Sequence, residues 1–238
     1  MFYFLLSSLM TYNFILAAAA VIPAVFLMIQ VYRLDRLEKE PLYLLWDLVK
    51  AGIFSSLIAM VLERVLSGIL GMTVHDYGLY QVLLYFVVVA FSEEGAKYFM
   101  LGRRTWNLRE FDCQYDGVVY AVFVSLGFAL WENISYVLHY GFGSAIIRAL
   151  TAIPGHTCFG VFMGLFYGFA KKAENRGRQD RVTLYRVLAV LIPALLHGAY
   201  DYIASMERGN LFFIAFIAVL FTVSYRLVVA MSRDDQYI

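Results

Sequence analysis

The chain predicts an all-α fold, a polytopic bundle of about seven transmembrane helices around a polar intramembrane cavity. Three observations carry that expectation. Of the 238 residues, 62% are hydrophobic, 17% aromatic and only 16% charged, far from the balance of a soluble domain. Runs of about 20 apolar residues, enough to cross a hydrocarbon core, recur near Tyr12 to Tyr32, Leu45 to Leu70, Leu79 to Leu101, Gly117 to Leu138, Ser144 to Ala170, Leu184 to Ala204 and Leu211 to Met231. Lysine and arginine alternate between rich and poor connections, as an odd number of spans requires.

The first run carries no charged side chain between Met1 and Tyr32 and no basic segment ahead of it, which reads as a first transmembrane helix rather than a cleaved signal peptide. In the second, Lys50, Glu63 and Arg64 bracket a short uncharged stretch, so partial interfacial placement is open and Glu63 with Arg64 reads as a boundary pair. The rich side holds Arg33, Arg36, Lys39, Lys50, Arg103, Arg104, Arg109 and the basic residues from Lys171 to Arg186, with Arg226 and Arg233; the poor side holds Arg64, Arg148 and Arg208. The expected orientation is amino terminus outside and carboxyl terminus cytoplasmic. The Lys171 to Arg186 stretch has two readings, a head-group or nucleic-acid patch and an ordinary charge-biased loop, of which the second is preferred. A net charge of +1 gives no sign of nucleic-acid binding, and the whole of 1–238 reads as a single membrane domain. Cys113 falls in a loop and Cys158 in a span, so neither a disulfide framework nor thiolate metal chemistry is expected.

Ionisable groups at membrane depth are expensive and mark function. In the third span Glu93 and Glu94 lie four and three residues from Lys97, so one lysine can serve either carboxylate. A structural ion pair is the plain alternative, but two adjacent glutamates with one cation leave surplus negative charge, which suits a base that holds and releases a proton. The fourth span opens at Asp116, expected to cap its helix, and carries Phe128, Glu132 and Tyr136 on one stripe. Asn133 reads equally as interhelical glue or as an oxyanion donor.

In the fifth span His156 heads a stripe of Gly160, Gly164 and Gly168 that lets a neighbouring helix come close. In the sixth, His197 and Asp201 share a face one turn apart; the carboxylate can fix the imidazole tautomer, or both can bind a metal. Each histidine follows a proline, Pro154 or Pro193, where kinks are expected. His75 and His139 lie in short polar connections and are set aside.

These residues resemble a known family. Glu93-Glu94-Gly95-Ala96-Lys97 resembles the E-E-x-x-K motif of the PrsW family of intramembrane proteases, which the resemblance groups with CAAX prenyl endopeptidases and Abi proteins. Phe128 to Asn133 resembles its F-x-x-x-E-N motif, and His156 with Gly160 and His197 with Asp201 resemble its histidine motifs. The Asp35 to Pro41 stretch and Asp116-Gly117 are also similar. The resemblance implies cleavage of a peptide bond in a membrane-anchored protein substrate, such as the first cut in an anti-sigma factor, by an enzyme seated in the lipid bilayer.

Glu93 would then activate a water, Glu94 and Lys97 would tune it, His197 with Asp201 would stabilise the oxyanion or protonate the leaving amine, and Glu132 and His156 would complete the polar wall. This version needs no cofactor and is favoured. In a metal-dependent version, zinc would sit on His156, His197 and a carboxylate such as Asp201 or Glu132. A non-proteolytic scaffold or transporter is the third class. At about 1.5 Å per residue, Glu132, His156, His197 and Asp201 fall in the outer half of the bilayer and Glu93 deeper, so a tilted or late-starting third helix is expected to unite them.

Overall fold

The computed structural model describes residues 2–206 and 210–238, with side chains from residue 18 onward. Met1 and Arg208 lie outside the described residues. The chain forms α1 (Phe2–Leu34), α2 (Leu42–Thr73), α3 (Tyr77–Thr105), α4 (Asp116–Tyr140), α5 (Phe142–Asn175), α6 (Gln179–Ser205) and α7 (Asn210–Arg233). Among the described residues there is no strand, only an isolated antiparallel bridge between Cys113 and Tyr237. Helices α2 to α7 are each long and apolar enough to cross a membrane, and α1 presents an apolar stretch over Ala18–Leu34. The chain is an integral multi-pass bundle.

Helix α2 is continuous over 32 residues, so the charges around its middle do not shorten it. Helix α3 starts on Asp76, whose carboxylate accepts from Leu79 N at 2.7 Å, and contains a π turn at Leu84–Val89. Helix α5 has two arms, Phe142–Leu150 and Ala152–Asn175, that break at Thr151. Pro154 therefore sits in the first turn of the long arm, where its missing N–H is not needed. The expected mid-helix kink at Pro154 is instead this break between arms.

Helix α4 is the axis. It is buried over nearly its whole first half and packs against α1, α2, α3 and α5. Its neighbours approach because glycines face backbone. A Cβ on Gly52 would lie 2.0 Å from Val124 O, and one on Gly127 would lie 2.3 Å from Val49 O. The stripe on α5 serves the same close contact: a Cβ on Gly164 would lie 2.4 Å from Gly117 O, and one on Gly168 would lie 2.4 Å from Gln114 O.

The end of the bundle away from the histidines is tied by its loops. Asp116 does not cap its own helix; its carboxylate turns back to accept from Cys113 N at 2.7 Å and Asp112 N at 3.2 Å, because those loop N–H groups have no helical partner. The tail closes over this loop through Tyr115 N to Asp235 Oδ1 at 2.9 Å and Ile238 N to Asp112 O at 2.7 Å. Tyr120 donates to Glu40 at 2.7 Å. Burial pushes the Asp35 carboxyl up to about 6, and burial likewise raises Glu40.

Two outcomes follow from this packing. Gly127→Leu forces α2 and α4 apart, and thermal unfolding in detergent should show a loss of about 1–3 kcal/mol or more, whereas Gly95→Ala, at a site with open space, should not. The folded pKa values of Asp35 and Glu40 lie above their unfolded values, so their stabilisation is present at low pH and lost as pH rises. The unfolding midpoint should fall between about pH 4 and pH 7, and Asp35→Asn should flatten that fall.

Candidate active site

The carboxylates and histidines singled out from separate spans meet in one place. Their centre is the Lys97 ammonium, fully buried, which donates to Glu94 Oε1 at 2.7 Å, to Glu93 Oε2 at 3.2 Å and to His156 Nδ1 at 3.1 Å. It also lies 4.0 Å from the centre of the Phe128 ring. An ammonium has three protons and no lone pair, so its three donations are used and His156 Nδ1 must accept. The other nitrogen, Nε2, then carries the proton and donates to Glu132 Oε2 at 2.9 Å. The tautomer of His156 is thereby set by its neighbours.

The two glutamates divide. Glu94 is sealed beneath the site, its Oε1 shared between Lys97 and His197 Nδ1 at 2.9 Å, and its Oε2 has no partner among the described residues. Glu93 instead lines a cavity of about 400 Å³ together with Glu63, Glu132, Arg148, His156, His197 and Asp201, with Phe128, Trp131, Phe159 and Tyr200 as apolar wall. His197 Nε2 faces Asp201 Oδ2 at 3.4 Å. The carboxylate nearest His197 is therefore Glu94, not the aspartate one turn away. Phe159 stacks on the His197 ring at 4.7 Å and meets His156 edge-on, locking both rings.

The depth mismatch between α3 and its neighbours disappears in three dimensions. The π turn at Leu84–Val89 lies just before Glu93 and brings Phe86 onto α6, where a Cβ on Gly198 would lie 2.7 Å from Phe86 Cδ1. Wide turns of this kind are frequent at functional sites. Nothing in the local pattern of Leu84 to Val89 announces it.

Asn133 does not line the cavity. Its amide donates to Ala20 O at 2.9 Å and accepts from Arg148 Nε at 3.2 Å, which is the glue reading. Two residues entered the site without being sought. Glu63, read as half of a boundary pair with Arg64, faces the cavity; Ser56, Met60 and Glu63 form a stripe at helical spacing that the sequence does display. Arg148 bonds Glu132 Oε2 at 2.9 Å and covers the Tyr136 ring at 4.0 Å; its signal was a cation on the poor side of the charge count. His75 and His139 stay outside the cavity lining, the second against Ser135 O. Cys113 and Cys158 are buried free thiols.

The donor set can be asked whether it fits a metal. Ligand atoms of Glu93, Glu94 and His156 lie within 4.8 Å of one another, but the Lys97 ammonium already bonds all three. His156 spends one nitrogen on Lys97 and the other on Glu132, so it has no lone pair left for the zinc set of His156, His197 and Asp201. Around Lys97 the donor atoms of that trio are engaged by an ammonium.

A model of the PrsW family, described as intramembrane metalloproteases, matches residues 40–228, which span every one of these side chains. The chain belongs to the PrsW protease family. It is 34% identical over 218 residues to Protease PrsW of Geobacillus kaustophilus, covering 90% of this chain and 91% of that relative. It is 32% identical to Protease PrsW of Bacillus subtilis (80% and 83% covered) and 34% identical to that of Clostridioides difficile (79% and 78%). No solved structure matches the chain. The PrsW family membership and the apolar helices together make this an intramembrane protease of the multi-pass class, with a protein as substrate.

Removing the central cation tests the geometry. Lys97→Met strands Glu93 and Glu94 without a counter-charge and should cost about 3–5 kcal/mol of stability. In the double variant Lys97→Met with Glu94→Gln, the loss in detergent unfolding should be smaller than the sum of the two single losses.

Proposed function

We propose that the chain is a glutamate-type endopeptidase that cuts a membrane-anchored protein, such as an anti-sigma factor at its first site, with Glu93 as the base that activates water. The observation that carries this reading is the division of the two glutamates: Glu93 faces the cavity and Glu94 lies under it, holding both Lys97 and His197. The reacting water would be held by Glu93 on the floor of the cavity. Its proton passes to Glu93 as the oxygen attacks the scissile carbonyl, and the resulting hydroxyl adds to the carbon.

His197, donating from Nδ1 to Glu94, presents Nε2 to the cavity beside Asp201, where the imidazolium form would donate its second proton to the oxyanion or to the departing amine. Glu132, fixed between His156 and Arg148, forms the opposite wall. Asn133, outside the cavity lining, would act by positioning Arg148. Kinship with CAAX prenyl endopeptidases and Abi proteins, proposed on the shared motif types, agrees with a carboxylate base. The matched family's character as metalloproteases favours a second reading, the metal-dependent one; the occupation of the trio's focus by Lys97 weighs against it, and the glutamate mechanism uses no cofactor. Residues 1–238 are taken as one membrane domain with the amino terminus outside.

Reconstituted with single-span substrates, Glu93→Gln should lower cleavage by about 100-fold or more while leaving the helical spectrum and elution unchanged; Glu94→Gln and His197→Ala should also be impaired. Cleavage by Glu93→Gln at the wild-type rate would remove Glu93 as the base, whereas absence of cleavage by the wild-type chain on every substrate would favour the scaffold or transport reading. Orientation is checked with cysteines in a variant lacking Cys113 and Cys158. In intact cells an impermeant maleimide should label Ser135→Cys, at the cavity, and should reach Arg178→Cys only after permeabilisation. The reverse pattern inverts the topology.

A further inference from the structure

Four cations converge on a hollow at the end of α5 and the start of α6. The hollow has a volume of about 390 Å³ and is lined by Lys172, Arg176, Arg178 and Arg181 with Phe169 and Tyr185. We propose that it is a binding site for the phosphate of an anionic membrane lipid, whose glycerol and first acyl carbons lie along the two aromatic rings. The site is separate from the carboxylate cavity, and its existence does not depend on the proteolytic reading.

The local fold builds the convergence. The connection between the helices turns at Gly177, whose φ of 68° is the left-handed region that glycine enters without strain. The turn is closed by Gly177 N to Glu174 O at 2.9 Å and Arg178 N to Ala173 O at 2.9 Å, so Arg176 and Arg178 leave the backbone on either side of one tight bend. Lys172 is aimed from α5 by Gln114 Oε1 at 2.8 Å. Arg181 comes from the first turn of α6, a 27-residue helix whose opening N–H groups add positive potential.

No carboxylate lines the hollow; the nearest acid in sequence, Asp180, reaches only Arg181, at 3.7 Å, and both are exposed. Charge bias alone would be satisfied by these residues anywhere in the loop and gives no reason for a concave cluster. A nucleic-acid surface would need an extended basic track, whereas this hollow holds one head group. It lies at the joined ends of α5 and α6, each long and apolar enough to cross a membrane, and basic pockets between such helices take lipid phosphates. The aromatic walls match the apolar part of such a ligand. The chemistry needed is a phosphate with an uncompensated negative charge, which an anionic lipid or free inorganic phosphate supplies.

The test uses the purified full chain in neutral detergent, with phosphatidylglycerol, phosphatidylcholine or inorganic phosphate added, read by native mass spectrometry and thermal unfolding. Phosphatidylglycerol should be retained and should raise the unfolding midpoint, with phosphatidylcholine far weaker. The variant R176Q/R178Q/R181Q should bind phosphatidylglycerol roughly 100-fold more weakly, at about 1 kcal/mol per basic residue removed, with unchanged helicity. R103Q/R104Q, which removes two exposed arginines outside the hollow, should bind as wild type. Equal retention of the two lipids, undiminished binding by the triple variant, or an equal loss in R103Q/R104Q would overturn the site. Protection by inorganic phosphate with none from phosphatidylglycerol would overturn the lipid as the source.

Discussion

A single buried ammonium organises the candidate site. Lys97 has no exposure to solvent, yet it hydrogen-bonds two carboxylates and fixes a histidine tautomer. In low dielectric, charges are retained only where partners and hydrogen bonds surround them closely. The lysine meets that condition from within its own helix, through Glu93 and Glu94, and from α5, through His156. Every other polar contact in the cavity hangs from this one: His156 carries Glu132, Glu132 carries Arg148, and Glu94 carries His197.

Such a cluster exists only if the helices come near enough to share it. The glycines do that work on both sides of α4, through Gly52 and Gly127 toward α2 and through Gly117 and Gly164 toward α5. Without hydrophobic drive between helices in lipid, close backbone approach is the means of association. The result is a polar shell on closely packed helices, which favours holding a base and an acid at fixed separation. Ser125 Oγ, donating to the backbone oxygen of His156 at 2.6 Å, pins that shell to the axis helix.

Much of this was legible in the sequence. Glu93, Glu94, Lys97, Glu132, His156, His197 and Asp201 stood out because ionisable side chains in apolar spans need a reason, and their spacing put them on helix faces. The seven helices, six of them long and apolar enough to cross a membrane, were legible from the lengths of the apolar runs. What escaped depended on which way a side chain turns and on contacts between distant segments. Glu63 looked like a boundary charge because its partners lie on other helices. Asn133 and Asp116 were each assigned a plausible use, but the direction of an amide or carboxylate is decided by neighbouring backbone: Ala20 O in one case, the Cys113 and Asp112 N–H groups in the other. The π turn leaves no pattern of its own. The hollow over Lys172 to Arg181 was visible as charge, whereas its concavity comes from the bend at Gly177.

Whether the lysine or a metal holds the centre of the cavity is the question on which the chemistry turns. The direct measurement is the cleavage rate of the purified, reconstituted chain before and after stripping of transition metals with phenanthroline. With Lys97 at the focus of Glu93, Glu94 and His156, the rate should stay within about twofold of its starting value. Loss of cleavage on stripping, restored by one equivalent of zinc, would contradict a metal-free glutamate base.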